Sequence, residues 1–331
     1  MHKKKITGQS IDTISDKDYG RQDQQAETTS IISRVIKDVD DEDFDAISSN
    51  GRLNGHFKAN PHKNKNIAYT LITGASSGIG KALALECASR GMNILLVALP
   101  GDELHSLEKQ ICEQYRIKCH SFAIDLSVHC SSSAVYEWVK QHGYKVNILL
   151  NNVGVGSKGP FEQLSPDFYY RQIHLNVMTT CVMTRLFIDD LKDNAPSHIM
   201  NVGSMGGFFM LPDKIVYSAT KAFVYAFSMG LRMELAPLGI AVSVLCPGGT
   251  DSNEKTTACN KDLKGLAKIS ILQPGEVAKE AIDKMLKGQR RIIPGFLNKV
   301  SYHISRIVPE FVHRFFIANA FSHVKKHEYS S

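Results

Sequence analysis

The sequence predicts an α/β fold: a doubly wound, parallel, seven-stranded sheet with helices on both faces. Three observations predict it. From residue 67 onward short β-rich runs alternate with helical stretches, the order a parallel sheet requires. The strand runs are nearly continuously apolar, as in Ile94-Leu95-Leu96-Val97, which suits strands covered on both sides. A glycine-rich turn, Gly74 to Gly80, joins the first strand to the first helix.

The strands are expected at 67–73, 93–99, 118–124, 146–151, 197–203, 239–245 and 290–293. Helices are expected at 78–90, 102–115, 131–142, 165–193, 213–236 and 274–287. Together they make one domain, residues 67–295, with no second catalytic domain and no internal repeat. Residues 1–66 are rich in Asp, Lys, Ser, Gln and Asn. Such a stretch buries too little apolar surface to offset the entropy of ordering it, so it is expected to be a mostly disordered extension. Within it, Ile32, Val35, Ile36 and Val39 have helical spacing, but the acidic run Asp38 to Asp45 follows. Residues 296–331 form a basic amphipathic helical extension. Leu297, Val300, Ile304 and Ile307 share a helical stripe, and Pro309 opens a second helix carrying Phe311, Val312, Phe315, Phe316 and Phe321. That apolar face either docks on the domain or a partner subunit, or makes peripheral membrane contact through 296–326.

Composition narrows the function classes. Hydrophobic residues are 43% and charged residues 22% of 331, enough for a sizeable core, and the net charge of +6 calls for no nucleic acid. Seven cysteines are scattered without a CxxC pair. No disulfide framework or metal site is expected, and a reducing compartment fits. Met1-His2-Lys3-Lys4-Lys5 is followed by polar sequence rather than the apolar stretch of an export signal. No run approaches the ~20 apolar residues of a membrane span. The expectation is a cytoplasmic protein.

The turn Thr73-Gly74-Ala75-Ser76-Ser77-Gly78-Ile79-Gly80 lies between a strand and a helix, where a glycine pattern carries meaning. Gly74 permits the tight turn, Gly78 lets a pyrophosphate approach the backbone, and Gly80 allows helix to pack on strand. The helix N-terminus offers unpaired N–H groups to phosphate. A second glycine pattern, Gly154-Val155-Gly156-Ser157-Lys158-Gly159, follows the fourth strand and reads as a loop near the active site. Tyr217-Ser218-Ala219-Thr220-Lys221 puts a phenol and an ammonium four residues apart, on one helix face. A free tyrosine has a pKa of about 10. A nearby ammonium would lower it, making Tyr217 a general acid or base. Tyr136 and Lys140 repeat this spacing on the helix before the fourth strand. Thirteen residues before Tyr217 stands Ser204, whereas the matching position before Tyr136 is Ala123, so the latter pair reads as ordinary surface-helix residues.

The Gly-xxx-Gly-x-Gly spacing and the Tyr217–Lys221 pair resemble the short-chain dehydrogenase/reductase family over roughly 67–295, in particular its ketoacyl-reductase and hydroxysteroid-dehydrogenase branches. The resemblance implies a Rossmann fold and a nicotinamide cofactor. It places Gly74, Ser76, Ser77, Gly78, Ile79 and Gly80 at the pyrophosphate, and Asp125-Leu126 at the adenine. Asn152-Val153-Gly154 matches the family's Asn-Ala-Gly segment with Val for Ala, while Pro247-Gly248 and Ser252 match the nicotinamide side. It further implies that Ser204 bonds the substrate oxygen, that Asn176 anchors a relay water, and that Lys221 also binds the ribose. Asn176 could equally be a buried amide satisfied by backbone.

Cofactor preference turns on the end of the second strand, Val97-Ala98-Leu99-Pro100-Gly101-Asp102. An acid at Ala98 would bind the ribose hydroxyls and repel a 2′-phosphate; a base at Leu99 would favour it. Both markers are missing. The absent acid, with Ser76, Ser77 and Lys81 nearby, leans to NADP(H); Asp102 pulls toward NAD(H), or caps the next helix. Beyond Ser204, Met205 to Pro212 is largely apolar and 249–273 is expected to lie over the substrate. These features suggest a lipophilic ketone, 3-oxoacyl or steroid-like, in lipid metabolism; alternatively the apolar residues pack the core or a subunit contact. An NAD-dependent secondary alcohol dehydrogenase and a non-catalytic, cofactor-binding scaffold stand as the other readings. The family also implies a homodimer or homotetramer through the helices at 165–193 and 213–236.

Overall fold

A computed structural model describes residues 68–157, 159–209, 211, 213–251 and 269–307. The readings for residues 1–66, for Ser252 and for the second C-terminal helix lie outside the described residues, as does most of the stretch 249–273. In chain order the elements are β1 (Ala68–Thr73), α1 (Gly78–Ser89), β2 (Asn93–Ala98), α2 (Asp102–Gln114), β3 (Cys119–Ala123), α3 (Ser131–Gln141) and β4 (Lys145–Asn151). Then follow α4 (Pro166–Ile173), a π-helical turn (His174–Met178), α5 (Thr179–Asp193), β5 (Ser197–Val202), α6 (Ile215–Leu235) and β6 (Ile240–Leu245). The last are α7 (Pro274–Leu286), β7 (Arg291–Ile292) and α8 (Phe296–Ile307).

The seven strands pair in the order β3-β2-β1-β4-β5-β6-β7, and every pairing is parallel. This is the doubly wound sheet expected, with chain order reversing beside β1 and β4. Every residue of β2, β5 and β6 is buried. Their side chains alternate between two cores. Ile72, Ile94, Leu96 and Leu150 pack under α1, α2 and α7; Leu71, Leu95, Val97 and Leu149 pack under α3, α5 and α6. The edge strand β3 is half-covered instead.

Two expectations need correction. The single helix expected over 165–193 is two helices joined by a π turn, which widens the ladder where Asn176 sits. The helix expected at 213–236 begins at Ile215, because Asp213 takes a left-handed φ of 61° and Lys214 caps it. In α8 Asn298 and Tyr302 are buried, and Leu297 and Val300 are half-buried. Phe296 is 69% and Ile304 50% exposed.

Phe187, on α5, is fully buried against the sheet. Phe187→Ala should lower unfolding free energy by about 3–5 kcal/mol in urea titrations of the full chain, the usual cost of an aromatic cavity. A change near zero would contradict the packing described for α5.

Candidate active site

The strands end together on one side of the sheet, and the glycine turn after β1 lies there. Gly74 and Gly78 have φ of 66° and 53°, values that favour glycine. A Cβ on Gly80 would overlap the Gly74 carbonyl oxygen and lie 2.5 Å from Asn152 Nδ2, so only glycine lets α1 approach β1 this closely. No side chain caps the start of α1 at Ser77, and its first turn carries no acid. Those N–H groups and the helix dipole suit a phosphate, and a dinucleotide pyrophosphate fits the cradle chemically.

The neighbouring residues hold this turn. Thr73 Oγ1 accepts from the backbone N–H groups of Asn152 (3.0 Å) and Val153 (3.1 Å). Asn152 Nδ2 donates to the carbonyls of Thr73 (2.9 Å) and Gly74 (3.1 Å). The amide of Asn152 is thus a staple between the ends of β1 and β4. Past the end of β3, Asp125 Oδ1 accepts from Ser127 N at 2.8 Å, and Arg171 stands 3.7 Å from the other oxygen. Burial pushes the Asp125 carboxyl up, but Ser127 and Arg171 outweigh it and hold it below its ordinary value. Leu126 is buried and its carbonyl accepts from Thr179 Oγ1. At the end of β2, Ala98 is buried and Leu99 exposed. Asp102 and Glu103 open α2, and Glu103 Oε2 lies 2.8 Å from where a Cβ on Gly101 would be.

On α6, Tyr217 and Lys221 share a face, with Lys221 Nζ 5.9 Å from the Tyr217 ring centre. The Tyr217 phenol hydrogen-bonds with Ser204, which lies just past β5 and also accepts from Gly206 N at 3.0 Å. Lys221 is 5% exposed and donates to the Val202 carbonyl at 2.8 Å. Asn176 Oδ1 accepts from Val155 N (2.8 Å), while Nδ2 donates to Val155 O (3.1 Å) and Thr220 Oγ1 (3.0 Å). Its side chain is therefore satisfied by backbone and by α6. A Cβ on Gly154 would lie 2.9 Å from Asn176 Oδ1 and 3.4 Å from Lys221 Nζ. Asn176 and Lys221 thus meet beside Gly154, in the loop after β4, while Ser204 and Tyr217 meet beside Gly206.

Burial raises the Tyr217 pKa; the Ser204 hydrogen bond lowers it, and Cys246 raises it further. Burial draws the Lys221 pKa down to about 8, opposed by Cys246. At that value Lys221 still keeps most of its charge at neutral pH. Sequence reasoning missed Cys246, fully buried one residue past β6, with its thiol pushed up to about 12 by burial. It also missed Thr73 and Thr220, whose hydroxyls tie the constellation together. Thr73 directly precedes the glycine turn and could have been found there. The second Tyr-Lys pair is structural, as read: Lys140 bonds Asp190 on α5 at 2.9 Å. Pro247 accepts from Met205 N at 2.9 Å, and Gly248 lies against Asn298 of α8. Among the described residues no cluster could hold a metal.

An unfolded lysine titrates at about 10.4, so between about 8 and that value the unfolded chain keeps a proton the folded chain has released. Stability from this group therefore rises with pH across that window. Relative to Lys221→Met, the ligand-free wild type should gain up to about 1.4 kcal/mol per pH unit there, read from urea unfolding at several pH values. A difference flat in pH would contradict the buried, depressed lysine.

A family model described as short chain dehydrogenase matches residues 68–263. The mouse (Mus musculus) very-long-chain 3-oxoacyl-CoA reductase is 34% identical over 185 residues, covering 54% of this chain and 58% of that protein. A zebrafish (Danio rerio) very-long-chain 3-oxoacyl-CoA reductase-B is 35% identical over the same shares. The chain thus spans somewhat over half the length of these relatives. Among solved structures, a bulky-bulky ketone specific alcohol dehydrogenase from Comamonas testosteroni aligns with TM-score 0.61 and 26% identity, over 74% of this chain and 96% of that one. A short-chain dehydrogenase from Sphingobium yanoikuyae in complex with NADPH aligns with TM-score 0.63 and 26% identity, over 74% and 97%. The match covers more than half of the chain, and the chain belongs to the short-chain dehydrogenase family.

Proposed function

We propose that this chain is an NAD(P)(H)-dependent oxidoreductase that reduces a lipophilic ketone, 3-oxoacyl or steroid-like, to a secondary alcohol. The observation that carries the reading is the grouping of Ser204, Tyr217 and Lys221, with Lys221 and Asn176 both against Gly154 in the loop after β4. The names of the mouse and Comamonas relatives, a 3-oxoacyl-CoA reductase and a bulky-ketone enzyme, support the substrate class. The bound dinucleotide would supply the hydride from its nicotinamide C4. Residues 74–80 would hold its pyrophosphate, Asp125 and Leu126 its adenine, and Asn152-Val153-Gly154, Pro247-Gly248 and Ser252 its nicotinamide side.

Ser204 would donate to the substrate carbonyl oxygen and fix it against Tyr217. As the carbon gains hydride, the oxygen takes the Tyr217 proton, leaving a phenolate. Lys221, protonated and bonded to the ribose, would stabilise that phenolate. Asn176 would anchor the water through which the proton returns. We favour NADP(H), since neither Ala98 nor Leu99 offers a carboxylate to repel a 2′-phosphate; Asp102 and Glu103 in the first turn of α2 support NAD(H) as the alternative.

On this reading residues 67–295 are the catalytic domain, 1–66 a polar extension and 296–331 a helical one. Exposed Tyr170, Ile173, Met178, Phe223 and Met233 on α4 to α6 would form the contact of a homodimer or homotetramer. The outward apolar residues Phe296 and Ile304 of α8 would make peripheral contact with an anionic membrane. Among the described residues no helix is long and apolar enough to cross one.

Tyr217→Phe should cut turnover of a 3-oxoacyl or steroid ketone by roughly 10²–10⁴-fold while nicotinamide fluorescence reports nearly unchanged cofactor affinity. Retained turnover would overturn the assignment of Tyr217. The full chain should co-sediment with phosphatidylserine vesicles at low salt and be released at high salt; protein left in the low-salt supernatant would remove the membrane contact.

A further inference from the structure

Gly248 follows Pro247 where the chain leaves β6, and its φ is not among the left-handed values. Backbone conformation therefore does not explain the glycine; space does. A Cβ there would overlap Asn298 Oδ1 and lie 2.7 Å from Asn298 Cγ and 2.8 Å from Nδ2. The whole amide of Asn298 fills the volume a side chain at 248 would need.

That amide is held firmly. Asn298 is 5% exposed, and Nδ2 donates to Pro294 O at 2.9 Å and to Ser270 O at 3.3 Å. The first turn of α8 is anchored from α7, where Glu280 accepts from Gly295 N at 3.1 Å and pairs with Lys299 at 3.0 Å. On its other side the 247–251 segment is tied down twice. Pro247 O accepts from Met205 N at 2.9 Å, next to Ser204, and Gly249 O accepts from Leu272 N at 3.0 Å. A turn fixed from Met205, Leu272 and Asn298 has little freedom left.

We propose that Asn298 is a positioning residue, which sets the Pro247–Gly248 turn at the height needed to flank a nicotinamide. It acts from α8, beyond residue 263 where the family match ends. This rests on the reading of residues 247–248 as part of a cofactor site. An alanine at 298 removes both the ledge under Gly248 and the donor that ties it to Ser270 and Pro294. The turn then loses the support that keeps it in register with Ser204, without any change in the groups that touch substrate.

The test is made on the full chain, with NADPH and NADH titrated separately by nicotinamide fluorescence and thermal melts run in parallel. Asn298→Ala should weaken binding of the preferred dinucleotide on the order of tenfold, with turnover at saturating cofactor largely kept. Gly248→Ala should weaken it as well, because the new methyl meets the Asn298 amide. Adding Asn298→Gly to Gly248→Ala should clear the space and bring affinity back to about that of Asn298→Ala, not to that of the wild type. A merely structural role would lower the melting temperature of each variant and leave the dinucleotide affinity of the folded protein unchanged. Unchanged affinity in a folded Asn298→Ala protein, or a double variant no better than Gly248→Ala, overturns the proposal. If Asn298→Ala does not fold, the comparison of Gly248→Ala with the double variant decides it. A folded wild type that binds neither dinucleotide overturns the cofactor reading of 247–248, and the positioning role with it.

Discussion

The site depends on one seam, the junction between the ends of β1 and β4. Three backbone and side-chain groups meet there: the Thr73 hydroxyl, the Asn152 amide and the Gly74 carbonyl. In a parallel sheet the ladder stops where strands end, so the backbone groups beyond it need other partners. Thr73 and Asn152 supply them. Because Asn152 bonds both Thr73 and Gly74, the glycine turn cannot shift without moving β4. Because Val153 is bonded to Thr73, the loop carrying Gly154 follows. Removing any one partner would leave a buried polar group unsatisfied, at a cost of about 1–3 kcal/mol.

A second line of bonds carries this order from the sheet to the catalytic helices. Asn151 Nδ2 bonds Asn201 on β5 and Thr184 on α5. Asn201 in turn bonds Ser228 on α6. Thr184 reaches the carbonyl of Thr180, whose hydroxyl reaches the carbonyl of Asn176. This buried polar chain crosses an otherwise apolar core. Apolar contacts alone tolerate sliding, whereas directed bonds fix register. Asn176, placed in a π turn, is thereby tied at its carbonyl to α5 and at its amide to α6 through Thr220.

Much of this was legible in the sequence. Strand positions came from apolar runs with Val, Ile and Leu, because a strand buried on both faces has no polar face to show. The glycine turn was legible because its glycines are demanded by sterics at Gly74 and Gly80. The Tyr217–Lys221 pair could be told from Tyr136–Lys140 by what precedes each, Ser204 against Ala123. The π turn left no trace, since its residues Leu175, Asn176 and Val177 carry ordinary helical propensities. Desolvation left no trace either. Four-residue spacing puts an ammonium near a phenol, but does not reveal how far each is removed from water. Burial then raises Tyr217 and depresses Lys221 together.

Helix α8 shows what hydrophobic periodicity leaves out. Its residues Leu297, Val300, Ile304 and Ile307 have helical spacing, which reads as a face that docks on the domain or a partner, or lies on a membrane. The core at that place is mixed: Tyr302 joins an apolar cluster with Met205, Val224, Val244 and Ile293, its ring against Phe208. It presents the Arg291 guanidinium, which lies 4.4 Å from the Tyr302 ring centre and bonds the Tyr302 hydroxyl at 2.7 Å. It also presents the carbonyls of Ser270 and Pro294, which need a donor. Leucine or isoleucine turned inward would leave these groups unsatisfied, and burying an unpaired polar group costs more than burying a methylene gains. Asn298 and Tyr302, four residues apart, meet both demands, while Leu297 and Val300 are half-buried and Phe296 and Ile304 face outward. The helix is oriented by polar satisfaction beside the site together with the packing of the Tyr302 ring.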